Sequence, residues 1–71
     1  MKKIFWAPDL GCANRAKRSI VTGRSEKFTG VDTLDGEVKR FVGVVSDVED
    51  MGEKTPVVGH RWRVSIDVVE D

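Results

Sequence analysis

Over residues 57–70 apolar and polar side chains alternate. Val58, His60, Trp62, Val64, Ile66 and Val68 take the even positions, and Val57, Gly59, Arg61, Arg63, Ser65, Asp67 and Val69 the odd ones. A period of two, rich in β-branched residues, predicts a half-buried strand. Residues 37–49 form a second β-branched run, with Val38, Val42, Val44 and Val48 on its even face. The segment between them, Asp50 to Pro56, carries Gly52 and Pro56, residues that end strands, so the two runs are expected to pair antiparallel. A hairpin centred near Glu53 sets Val44 opposite Trp62, Val42 opposite Val64 and Val38 opposite Val68. All apolar even positions then share one face, which a slip of one residue would divide.

Upstream, Leu34-Asp35-Gly36-Glu37 signals a tight hairpin, because Asp-Gly suits a type I′ turn with positive φ at both central positions. Folding about it places Asp32 opposite Lys39 and Gly30 opposite Phe41, an ion pair and an aromatic over bare backbone. Lys27–Thr33 is then a strand, and residues 27–69 form a three-stranded meander. Nearer the N-terminus, Lys2–Trp6 and Arg18–Thr22 are expected as strands. Asp9–Lys17, with Cys12, Ala13 and Ala16 in a weak apolar stripe interrupted by Gly11, is expected to make at most one short helical turn or two. These elements predict a mainly β fold of about five strands, a small antiparallel barrel or strongly bent sheet of the SH3-like or OB-like kind. The run Phe41-Val42-Gly43-Val44-Val45, apolar on both faces, suits a strand shared by two layers, with Gly43 at a bend.

At 71 residues the chain is expected to be a single domain, residues 1–71, with a thin core. Partner binding or self-association is one way such a domain gains stability. Met1-Lys2-Lys3 followed by Ile4-Phe5-Trp6-Ala7 and later Leu10-Gly11-Cys12 imitates a lipoprotein signal. Pro8 and Asp9 stop the apolar run well short of the roughly 7 to 15 residues such a segment needs, so no membrane partner is expected. A lone cysteine fits a reducing, cytoplasmic setting. Twelve acidic residues balance twelve basic ones, yet residues 1–40 carry nine basic and five acidic groups and residues 41–71 three and seven. That asymmetry suits a polyanion-facing N-terminal half or two complementary halves, while overall neutrality argues against a dedicated nucleic-acid binder.

Chemistry-bearing motifs are sparse. Cys12 and His60 are the only nucleophile and base of their kinds, with nothing to orient them as a pair, and Cys12 reads as a small apolar residue. Asp47, Glu49, Asp50 and Glu53 lack the spacing of a calcium loop. No phosphate-cradling glycine motif occurs, and one Cys with one His makes no zinc set. Neither an enzyme nor a cofactor is expected. The candidate partner-binding residues fall in two groups. Arg61 and Arg63 lie on the odd face beside Phe41, with Phe28 a strand further, an arginine–aromatic interleaving that suits base stacking. Arg15, Lys17 and Arg18 form a basic segment able to neutralise phosphates. Against the first group stands a ladder of cross-strand ion pairs, Arg61 with Asp47 and Lys39 with Asp67. Trp62, in its apolar row, reads as core or subunit interface, and His60 as a rim residue with a hydrogen-bond partner. The chain is therefore expected to be a non-catalytic interaction module that binds a protein partner or a copy of itself. The alternative is a nucleic-acid-binding small β-barrel using Arg61, Arg63, Phe41 and the segment Arg15–Arg18.

Overall fold

The computed structural model describes residues 1–69. Its elements are β1 (Lys2–Ala7), α1 (Leu10–Thr22), β2 (Glu26–Asp32), β3 (Val38–Asp50) and β4 (Trp62–Val68). The strands close into an antiparallel barrel in the order β1-β2-β3-β4, with β1 returning to pair with β4. The mainly β architecture and the β2-β3-β4 meander are those the alternation predicts. Among the described residues the strands number four, because Arg18–Thr22 is the end of α1 and not a strand.

The helix is fixed at both ends. Asp9 caps it by accepting the Cys12 N–H at 2.7 Å, and Gly23 closes it from the left-handed region, its N–H donating to Ser19 O at 2.8 Å. With the ends set, Cys12, Ala13, Ala16 and Ser19 fall on one face, and Ala13, Ala16 and Ser19 are fully buried. Their small side chains let the helix lie close on β3. Ile20 and Val21, β-branched and the basis for expecting a strand, face solvent at 41% and 85% exposure. Their local preference yields to the burial of the opposite face.

The core gathers Phe5, Ala7, Ala16, Phe28, Phe41, Val45, Val64 and Ile66. Phe5 meets Phe41 edge-on at 4.6 Å between centroids and Phe28 at 5.9 Å. The even row of β4 points inward as its alternation predicts. The row of β3 does not: its odd residues Phe41 and Val45 are buried, while Val38 is 69% exposed and Val42 and Val44 are half-exposed. The reason is a β-bulge. Val45 pairs with Ile66 but Asp47 with Ser65, leaving Ser46 as the extra residue, so inward positions are odd before it and even after it, where Val48 faces Val64. A single parity carried along the whole strand therefore placed Phe41 on the wrong face. The β3–β4 register is also displaced from the expected one, since Trp62 opposes Asp50 and not Val44. The loop between them explains this. Met51 N–H bonds Arg61 O at 2.8 Å and His60 N–H bonds Val57 O at 3.1 Å, taking residues 57–61 out of the expected strand. Glu70, expected at that strand's end, lies outside the described residues.

The β2–β3 hairpin keeps the expected parity but sits two residues off: Phe28 opposes Phe41 and Gly30 opposes Lys39. The turn is a longer loop, Thr33 to Gly36, in which Asp32 O accepts the Gly36 N–H at 2.9 Å and the Asp32 carboxylate accepts the Leu34 N–H at 2.9 Å. Gly36 alone takes positive φ there, at 72°, whereas a type I′ turn would also require it of Asp35. Gly30 is bare because Phe5 covers it: a Cβ would stand 2.3 Å from the Phe5 ring.

Candidate partner-binding site

The two arginines that flank Trp62 are both paired with carboxylates of β3. Arg61 grips Asp50 through two hydrogen bonds, Nε to Oδ1 at 2.9 Å and Nη2 to Oδ2 at 2.8 Å, and Arg63 lies 3.5 Å from Glu49. The Asp50 carboxyl is held below its ordinary range, first by the Arg61 guanidinium and then by the Gly52 N–H. An ion-pair ladder forms, with partners set by the displaced register: Asp50 replaces Asp47 for Arg61. Lys39 reaches Asp32 at 3.2 Å and also Asp35, while Asp67 is taken by the N-terminal ammonium at 3.1 Å. Phe41 and Phe28, expected beside the arginines, are 4% and 2% exposed and belong to the core. Arg63 lies on the other face, opposite Trp6 and Glu49. Trp62 is half-buried against the core, with the Lys17 ammonium 5.3 Å and the Arg61 guanidinium 5.4 Å from its ring centroid. His60 sits in the β3–β4 loop, its Nδ1 3.2 Å from Val58 O.

The helical cations diverge. Lys17 turns to Trp62, and Arg18 is exposed with no carboxylate in ion-pair range among the described residues. Arg15 turns the other way, onto β2. Its Nη2 donates to Lys27 O, its guanidinium carbon stands 5.1 Å over the Phe28 ring, and Glu26 lies 3.8 Å away.

Arg15 thereby enters a groove of about 460 Å³ between the first half of α1 and the edge of β2. Pro8 and Cys12 line one wall, Lys27, Phe28 and Thr29 the other, and Arg40 reaches in from β3 beside Thr29, its cross-strand partner. The groove exists because β1 and β2 part early. Their pairing covers only Phe5 with Asp32 and Trp6 with Val31. Lys27 and Arg40 have no carboxylate in ion-pair range among the described residues. Asp9 on the rim is the N-cap of α1. Of this lining only Arg15 and Phe28 are among the sequence-predicted candidates; Pro8, Cys12, Lys27, Thr29 and Arg40 are not. The readable signal was Pro8, which stops the N-terminal strand and has no N–H to give a neighbour.

Cys12 also touches this groove, but burial pushes its thiol pKa up, the Asp9 carboxylate adds to that, and Arg15 offsets only part. The thiolate is thus disfavoured, and Cys12 serves as part of the wall. A second hollow of about 650 Å³ is lined by residues of the β3–β4 loop, among them Glu53, Thr55, Val58 and His60. No helix among the described residues is long and apolar enough to cross a membrane. Comparison with protein-family models, curated proteins and solved structures finds no match for this chain.

Proposed function

We propose that the chain is a non-catalytic interaction module whose partner is a protein, engaged by adding an extended segment of that partner to the open edge of β2. The observation that carries this reading is the early end of the β1–β2 ladder at Trp6 and Val31, which leaves Lys27–Thr29 as an unpaired sheet edge inside a groove. Strand addition draws its affinity from main-chain hydrogen bonds and its selectivity from alternate side chains, so it needs an edge and flanking chemistry but no catalytic group. Burial, which disfavours the Cys12 thiolate, supports a reading without nucleophilic chemistry. The test is an NMR titration of the chain with strand-forming peptides. Shifts concentrated at Lys27, Phe28 and Thr29 are expected; shifts confined to other surfaces would overturn the site.

A second reading is favoured by one specific observation: α1 carries Arg15, Lys17 and Arg18 and no acidic residue. Arg15 and Lys17 turn to opposite sides of the helix and Arg18 stays exposed between them, so phosphates would be neutralised around the helix and the partner would be a nucleic acid held by its backbone. The version built on Arg61, Arg63 and Phe41 has lost its support, since both arginines are paired and the ring is buried. Binding to oligonucleotides that weakens steeply with salt and shifts the amides of α1 would favour the second reading over the first.

A further inference from the structure

We infer that the segment taken by the β2 edge alternates acidic and apolar residues, and that Arg15 is a built-in plug which the segment displaces and then uses. The inference rests on the strand-addition reading above. Asp32 N–H donates to Glu37 O at 2.9 Å, which makes the even residues of β2 the ones that bond to β3; Thr33 N–H donates to Ile4 O at 3.2 Å, which shows the odd residues facing the β1 side. Carried one step past Trp6 and Val31, the β1–β2 register sets Thr29 against Pro8, which has no N–H, and the next sets Lys27 against Leu10, already helical. The N–H and C=O groups of Thr29 and Lys27 therefore face the groove without a strand. Arg15 fills part of the gap, donating to Lys27 O while its guanidinium covers the Phe28 ring.

An added strand extends the side-chain rows of the sheet. On the outer face those rows are Arg40–Thr29 and Val42–Lys27, so residues placed beside Thr29 and Lys27 lie among the unpaired cations Arg40 and Lys27. Carboxylates suit these positions. The intervening residue faces inward, extending the row Phe41–Phe28 towards Cys12, where a small apolar side chain suits. In an antiparallel addition the N–H of the residue opposite Lys27 takes over Lys27 O, the intervening side chain replaces the Arg15 guanidinium on Phe28, and the displaced Arg15, which keeps Glu26 as a neighbour, adds a further cation beside the acidic segment. The occupant is thus an extended acidic stretch of another protein.

The test titrates the labelled full-length chain at low salt with three capped peptides alternating valine with glutamate, glutamine or lysine. The glutamate peptide is expected to shift Lys27, Phe28 and Thr29 together with the Arg15 side chain. It should bind roughly tenfold tighter than the glutamine peptide, as two exposed ion pairs would give, and the lysine peptide should not bind. Thr29→Pro removes only the outward N–H of an edge strand and is expected to abolish binding of all peptides with the fold intact. Arg40→Gln keeps the edge and is expected to narrow the glutamate preference severalfold. Arg15→Met, which keeps Phe28 covered but frees Lys27 O, is expected to tighten the glutamine peptide and narrow the glutamate preference. Equal affinity of glutamate and glutamine peptides at the same amides would overturn the acidic ligand while leaving strand addition standing. No shift at Lys27–Thr29 with any peptide, or undiminished binding by Thr29→Pro, would overturn both. Unchanged affinities in Arg15→Met would overturn the plug, and concentration-dependent shifts of these amides without peptide would replace the foreign segment by a second copy.

Discussion

Ser19 is the one fully buried polar side chain of the helix, and its hydroxyl mends the sheet. Beyond the pair Glu26–Gly43, the β2–β3 register would set Arg24 against Val45. Instead the Ser19 hydroxyl donates to Arg24 O at 2.7 Å and accepts the Val45 N–H at 3.1 Å, standing where a direct ladder bond would run. Ser19→Ala leaves both groups unpaired and is expected to cost about 1–3 kcal/mol in urea unfolding; a loss below about 0.5 kcal/mol would refute the bridging role. Asp32 makes a second residue-scale prediction. Its carboxylate is 3% exposed and held below the ordinary value of 3.8, first by the Leu34 N–H and then by the Lys39 ammonium, against an opposing cost of burial. A depressed folded pKa contributes stability that is present above the unfolded value and lost as pH falls through the folded one. Stability should therefore decline from about pH 5 downward, and Asp32→Asn should flatten that decline in a series of melts. An unchanged acid slope would move its origin to other carboxylates.

At the scale of elements, two glycines with opposite surroundings predict opposite outcomes. A Cβ on Gly43 would stand 2.1 Å from the Asp67 carbonyl oxygen, backbone that β3–β4 pairing holds in place, whereas one on Gly11 in the first turn of α1 meets nothing closer than 3.4 Å. Gly43→Ala is expected to destabilise by about 1–3 kcal/mol or more, and Gly11→Ala to stabilise by roughly 0.5–1 kcal/mol, both read from urea midpoints. Matching signs would mean that β4 yields. The same elements mark what could be read in advance. The row Trp62, Val64, Ile66, Val68 follows from alternation, because one buried face imposes period two; the β-branched run 37–49 and the strand 27–33 inferred from the Asp-Gly turn each fall within one residue of β3 and β2. The bulge at Ser46 leaves no comparable mark: Phe41-Val42-Gly43-Val44-Val45 is apolar at both parities, so the pattern is silent on which face turns inward. The full length of α1 was hidden for a related reason. Its buried face is built of Ala13, Ala16 and Ser19, which carry little hydropathy, while its most apolar C-terminal residues, Ile20 and Val21, point outward.

Over the whole molecule, a larger share of the described acids than of the cations is paired within the fold. Asp32, Asp35, Glu49, Asp50 and Asp67 are each held by a cation of the fold, while Arg18, Arg24, Lys27 and Arg40 find no carboxylate in ion-pair range among the described residues. Sequence reading located basic residues 15–18 but not the groove, because Arg40 joins Arg15 and Lys27 only through the β2–β3 pairing and the break at Pro8. Two pairs among the unpaired cations lie apart: Lys27 and Arg40 flank the open edge of β2, and Arg18 and Arg24 lie on α1 and just beyond it, outside the groove lining. That separation makes the two functional readings distinguishable in one molecule. Reversing both outer charges, Arg18→Glu with Arg24→Glu, is expected to leave the affinity for an acidic strand-forming peptide within about twofold. The same change should abolish any oligonucleotide binding, whose strength follows the count of phosphate contacts. Lys27→Glu should do the reverse, weakening the peptide several-fold. Fluorescence anisotropy with both probes at low and high salt reads the pattern, and loss of peptide binding on reversing Arg18 and Arg24 would move the partner's place from the sheet edge to the helix.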